Sequence, residues 1–212
     1  MRMSAIKSIC KKGKEFILYE DDACQWIGTK DCCFRVDDTI ELTENAIPDI
    51  FDLSDKKLEK IMITKASLHE SDLCPEDTPL EDNMLGEWTA VLTELGKQYK
   101  FLESREHRLY MVDYNAIFGG IESGTYRRFY LLHNKNGDPV IALTDGMIIT
   151  GLLRPIDGKT MGMMQQGLRK LGFMPPGIAV KEEPEEEEEQ YQMIMDEMIN
   201  IPEEERDDTD LI

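Results

Sequence analysis

The chain has 212 residues, 41% of them apolar and 32% charged, with a formal net charge of −19. This length suits one sizeable domain or two small ones, and no apolar run approaches the roughly 20 residues that a membrane-spanning helix needs. Five cysteines without a Cys-x-x-Cys pair offer neither a disulfide framework nor a zinc site, and the basic start, residues 1–14, lacks the apolar stretch of a secretory signal, so a cytoplasmic protein free of the membrane is expected.

In chain order, Ile6, Ile9 and Cys10 recur at helical spacing, which predicts a first helix capped by Ser4 and ended by Gly13. Residues 14–20 have the length and aromatic content of a strand. Two further strands, 24–28 and 32–36, read as a hairpin across Gly28-Thr29-Lys30-Asp31. A short helix is predicted over 43–51, N-capped by Thr43 and broken by Pro48, whose missing N–H falls too far in for a first turn. Ser54-Asp55-Lys56-Lys57 opens another helical turn, and 60–64 reads as a strand. Residues 66–86, rich in Asp, Glu and Pro, read as a loop long enough to cover a pocket.

The second half is more regular. Strands are predicted at 88–95 and 98–103, joined across Gly96-Lys97, and at 108–112. Asp113 can cap a short helix reaching residue 121, and strands follow at 126–133, 139–143 and 147–153, with Asn, Asp and Gly in the turns between them. A last helix, 159–171, stops at Gly172 ahead of Pro175-Pro176-Gly177. From 181 to 212 fifteen acidic residues face only Lys181 and Arg206, a balance of −13, which leaves −6 for the 180 residues before them. Such a segment repels itself and buries too little apolar surface to fold alone. The organisation expected is one α+β domain over 1–157, a helical appendage and linker over 158–176, and a disordered acidic tail over 177–212.

Residues 4–37 and 113–154 share one order, helix then three strands, without sharing residue identities. The strings Gln25-Trp26-Ile27-Gly28 and Ile50-Phe51-Asp52-Leu53 resemble those of uncharacterised proteins from prophages and mobile elements of clostridia-type gut bacteria. That resemblance covers roughly residues 4–156 and implies no particular activity. The repeated helix-plus-three-strand order is similar in topology to one domain of the DNA sliding clamp family. Residues 138–143 and then 147–155, ending Leu152-Leu153-Arg154-Pro155, look like the terminal hairpin of a bacterial clamp. The resemblance implies a clamp-like fold and a role beside DNA replication. The chain departs from that family in having one such domain where a closed ring needs several, so a ring would require a homo-oligomer. Its second helix, 114–121, also lacks any lysine or arginine.

No catalytic chemistry stands out. His69, His107 and His133 fall in three separate places and predict no metal site, and no cofactor is expected. Cys32 and Cys33 are neighbours on a strand, so they point to opposite faces and cannot both line one pocket with Cys24. Gly119-Gly120 and Gly124 lack the order of a phosphate loop, and a non-enzymatic protein is expected. Lys7, Lys11 and Lys14 recur at i, i+4 and i+7 with Lys12 beside them, opposite Ile6, Ile9 and Cys10. That stripe can meet DNA phosphates, with Arg127 and Arg128 adding to it if the repeat brings them near; the plainer alternative is a solvated helix face. In the tail, Ile194, Met198 and Ile201 make an apolar stripe adjoined by Tyr191 and Met195, the shape of a helix that folds into a protein partner's groove. The leading expectation is an interaction protein of a phage or mobile element, a clamp-like accessory of DNA replication. The alternative is an acidic decoy that imitates nucleic-acid charge and inhibits a host DNA-binding or defence protein.

Overall fold

A computed structural model of the chain describes residues 2–21, 24–37, 39–94, 97–117 and 126–156. The chain divides into two units, Met1–Met174 and Pro175–Ile212, and all described residues belong to the first. The predicted last helix, 159–171, and the acidic tail lie outside the described residues.

The first helix, α1 (Met3–Gly13), buries Ile6 and Cys10, as its apolar spacing requires. Its ends differ from the expected ones. Arg2 holds the N-cap position, so Ser4 lies inside the first turn, and the left-handed residue that closes the helix is Lys14, with φ of 58°. Gly13 answers to packing instead, because a Cβ there would come 3.2 Å from Thr29 Cγ2.

After α1 the chain runs through three antiparallel strands, β1 (Glu15–Glu20), β2 (Gln25–Gly28) and β3 (Cys32–Arg35). The turn between the last two is tight, with Thr29 N donating to Cys32 O at 2.7 Å. Any side chain at Gly28 would overlap the Cys32 carbonyl. The helix predicted over 43–51 is shorter: α2 (Ile47–Ile50) starts late enough that Pro48 falls in its first turn, where a missing N–H breaks no bond. Thr43 instead opens the turn before it, its carbonyl accepting from Ala46 N and Ile47 N. After α3 (Asp55–Leu58) comes β4 (Met62–Ser67), paired parallel with β1.

The stretch read as a loop over 66–86 is shorter at both ends. β4 takes its start, and a 3₁₀ turn, Glu81–Asn83, leads into β5 (Met84–Glu94). Then follow β6 (Lys97–Glu103), β7 (Leu109–Asp113), α4 (Tyr114–Ile117), β8 (Arg127–His133), β9 (Pro139–Asp145) and β10 (Ile148–Leu153). Asp113 caps α4 as expected, its Oδ1 accepting from Asn115 N at 2.9 Å.

The described strands form one ten-stranded sheet in the order β4-β1-β2-β3-β10-β9-β8-β5-β6-β7. At its middle β3 meets β10 antiparallel, with Cys33 opposite Leu152. From that seam six strands read outward as two arms, β3-β2-β1 and β10-β9-β8. Each arm follows a helix in the chain, and those helices, α1 and α4, pack against each other. The fold class is α+β.

Strand alternation gives the sheet two apolar faces. On one, Phe16, Ile27, Phe34 and Ile141 pack under Ile6, Phe51 and Ile117 from the helices and their flanks. The rings of Phe16 and Phe51 lie 5.0 Å apart. On the other, Tyr19, Trp26, Cys33 and Ala142 pack with Leu68 and Leu73. The residues after β4 thus cover the sheet itself. Leu73 is fully buried, which contributes about 1.5–3 kcal/mol. This strap is tied down by Asn134 Nδ2 donating to Asp72 O at 2.9 Å and by Arg154 pairing with Asp72 at 2.9 Å.

Candidate nucleic-acid interface

With Ile6 and Cys10 in the core, helical geometry turns the lysines of α1 outward. They are not equivalent. Lys12 Nζ lies 3.0 Å from Asp113 Oδ2, at the threshold of α4, and is thereby committed to joining the two arms. Lys7 Nζ has a looser partner, Asp52 Oδ2 at 3.5 Å, on a side chain that is 98% exposed. Lys11 follows Lys7 by one turn of α1. Partial desolvation, and then the ammonium groups of Lys57 and Lys7, hold its pKa below the ordinary lysine value, with Asp52 opposing them. Lys14 is exposed, and its carbonyl accepts from Met62 N at 3.0 Å, which fastens the start of β4 beside the end of α1.

The two arginines do not join this stripe. Arg127 donates to both carboxylate oxygens of Glu87 at 2.7 and 2.8 Å, and its guanidinium lies 5.2 Å from the centre of the Phe129 ring. Glu87 also meets Lys100 at 3.1 Å, whose side chain is only 7% exposed. Burial pushes the Glu87 pKa up, but the hydrogen bonds from Arg127 and Lys100 prevail and hold it below the usual carboxylate value. Arg127 is thus bound into the fold by charge-assisted hydrogen bonds. Arg128, one residue on in the same strand, points to the opposite face of the sheet.

The remaining polar candidates serve the fold one by one. His69 Nε2 lies 3.2 Å from Asp21, His107 Nδ1 2.7 Å from Glu103, and His133 Nδ1 3.1 Å from Asp77. Among the described residues no group of three or more His, Cys, Asp or Glu is placed to hold a metal ion. Cys32 belongs to the core under the helices and Cys33 to the core under the strap. Burial raises the thiol of Cys10, pushes that of Cys32 up to about 12 and raises that of Cys33. All three move away from the thiolate a nucleophile needs. An open cleft of about 930 Å³ is lined by Glu20, Asp21, Asp37 and Glu41 with His69. Lys65 already pairs with Glu20 at 2.8 Å.

The tail residues expected to meet a partner, Tyr191, Ile194, Met195, Met198 and Ile201, lie outside the described residues. Two participants in the lysine cluster, Lys57 and Asp52, escape a reading by helical spacing because neither belongs to α1. The only local signal is the Lys56-Lys57 pair ahead of Leu58, a residue that packs on the core beneath the helices. Among the described residues no helix is long and apolar enough to cross a membrane. The chain matches no protein family, no curated protein and no solved structure.

Proposed function

We propose that this chain is a non-enzymatic interaction protein of a phage or mobile element that holds DNA by its phosphates, as a clamp-like accessory of replication. One observation carries the reading: α1, packed on its counterpart α4 over the middle of a two-armed sheet, turns lysines outward and apolar residues inward. Phosphate contact needs a cationic ridge on a rigid element and no pocket. The two arms support a duplicated helix-plus-three-strand unit, the topology in which the chain is similar to a clamp domain. A pI near 4.5 is compatible with such contact, since the field beside α1 is set by nearby charges more than by the net charge.

The test is fluorescence anisotropy with labelled duplex DNA at low salt, beside a measurement of molecular mass in solution. Replacing Lys7, Lys11 and Lys14 with Gln should weaken binding and flatten its salt dependence, by about 0.9 in log–log slope for each phosphate that is no longer neutralised. Failure of the unaltered protein to bind DNA at low salt would remove the reading. The −13 balance of residues 181–212 favours a second reading, the acidic decoy. A monomer without DNA affinity that binds a basic DNA-binding protein, and loses it when Glu185 to Glu189 are neutralised, is the outcome that reading expects.

A further inference from the structure

We infer that Cys74, His69 and Asp21 form a base-assisted thiol site that undergoes exchange with small cationic disulfides. Cys74 Sγ lies 3.8 Å from His69 Nδ1, and His69 Nε2 lies 3.2 Å from Asp21 Oδ1. The strap after β4 creates this line. Leu68 and Leu73 both enter the core on its side of the sheet, and the residues that follow each of them, His69 and Cys74, come out beside one another. Ser71 closes the turn between them, its N–H and hydroxyl donating to Leu68 O at 3.0 and 2.7 Å, while Cys74 N donates to Ser71 O at 3.3 Å. Asp21 arrives from the end of β1, where Leu68 N donates to Glu20 O at 2.9 Å and Asp21 N to Cys24 O at 3.1 Å. Cys74 is half-buried and the His69 side chain is 59% exposed, so a small reagent in solution reaches both.

The order thiol, imidazole, carboxylate gives each atom a role. A carboxylate oxygen beside Nε2 favours the tautomer with its hydrogen there, which leaves the Nδ1 lone pair toward the thiol. Burial, then Asp21 and Glu76, raise the Cys74 pKa against the opposing charge of Lys135. The thiol is therefore protonated at neutral pH and needs a base at the moment it attacks. In the exchange, Nδ1 takes the proton as Sγ bonds to one sulfur of the disulfide. The old S–S bond breaks, and the departing sulfur recovers the proton from the imidazolium. Cys74 is oxidised to a mixed disulfide and half of the reagent is reduced to a thiol, so the disulfide itself is the oxidant. The displaced charge sits on sulfur, so the step calls for no oxyanion hole. The preference for cations comes from the surroundings: Asp21 and His69 line the open cleft with Asp37 and Glu41, and Glu76 stands two residues from Cys74.

The experiment exposes the full chain at neutral pH to cystamine, a dication, and separately to the dianion dithiodipropionate, and follows each cysteine by peptide mass spectrometry. Cys74 should be modified first, ahead of Cys24 in the neighbouring cleft and of the buried Cys10, Cys32 and Cys33. Cystamine should outpace the dianion by at least about tenfold, once each rate is divided by that of free N-acetylcysteine. His69→Gln should slow the reaction at Cys74 on the order of a hundredfold, and the gap should close as pH rises, because a thiolate needs no base. Asp21→Ala should slow it by less, and Asp21→Asn should restore part of the rate, since an amide oxygen still orients Nε2. Loosening of the strap would bare the thiol and speed the reaction, so a fall in rate cannot come from misfolding. Cys74 modified no faster than Cys24, or His69→Gln reacting as fast as the unaltered protein, would overturn the site. An unchanged rate in Asp21→Ala would overturn the assignment of Asp21, and faster reaction with the dianion would overturn the preference for cations.

Discussion

The two arms of the sheet follow one order of elements and carry different chemistry. In the first arm α1 turns lysines outward, while in the second the described residues of α4, Tyr114–Ile117, carry no charge. The arms are also secured differently. The first depends on close backbone approach, with Gly28 against the Cys32 carbonyl. The second is tied by ions to the strands beyond it, with Glu87 of β5 held between Arg127 of β8 and Lys100 of β6. Topology therefore decides where each helix lies, and the side chains on it decide whether that arm can face a polyanion.

The steric half of this contrast should give the largest effect. Gly28→Val forces a side chain into the carbonyl of Cys32, where backbone has to move, and should destabilise the protein by about 3 kcal/mol or more. Gly151→Ala, in the last strand of the second arm, meets only the Phe34 ring edge at 3.1 Å and should cost about 1 kcal/mol. Urea denaturation of both variants checks this, and equal losses would erase the distinction between the arms.

The electrostatic half is smaller and depends on pH. Glu87→Gln leaves Lys100 buried without its carboxylate, which costs about 1–3 kcal/mol, toward the low end because Glu87 itself is 34% exposed. Because the folded pKa of Glu87 lies below its unfolded value, its stabilisation is present above the ordinary carboxylate range and is lost as pH falls through the depressed value. Glu103 adds to the same slope, since hydrogen bonds from His107 and Trp88 lower its pKa. Midpoints of urea unfolding followed downward from about pH 5 should thus fall less steeply in Glu87→Gln than in the unaltered protein. Parallel curves would mean that Glu87 does not tie the second arm to β5 and β6.

The smallest effect is expected where the arms are bridged. Lys12 and Asp113 form their ion pair with side chains 52% and 34% exposed, so Lys12→Gln should cost no more than about 1 kcal/mol and lose that effect at high salt. A larger, salt-independent loss in thermal unfolding would show that the helices depend on this pair to stay packed.

Most strands were legible because their signals are local. Gly28 to Asp31 and Asn134 to Asp138 announce turns, and the residues between them alternate or run apolar over strand lengths. The misreadings are equally instructive. Pro48 breaks a helix that begins at Thr43 but is harmless in one that begins at Ile47, and spacing alone does not choose between those starts. The stretch 66–86 lacks pattern because it is anchored one residue at a time, Leu73 by burial and Asp72 by Arg154 and Asn134. Of the candidate site, the stripe on α1 was visible from its i, i+4, i+7 spacing. Asp52, 45 residues from Lys7, was not, and neither was the partner that removes Arg127 from the site, Glu87, which is 40 residues away.

The sequence by itself determined most strands among the described residues, the order of helix and three strands that occurs twice, and the cationic face of α1, because periodicity and turn chemistry act over a few neighbouring residues. Only the tertiary structure decided that β3 meets β10, that α1 meets α4, and that Lys7 meets Asp52 while Arg127 is taken by Glu87. Those contacts join residues far apart in the chain. They are chosen by which apolar faces can be buried together, and the charges that end up side by side follow from that burial.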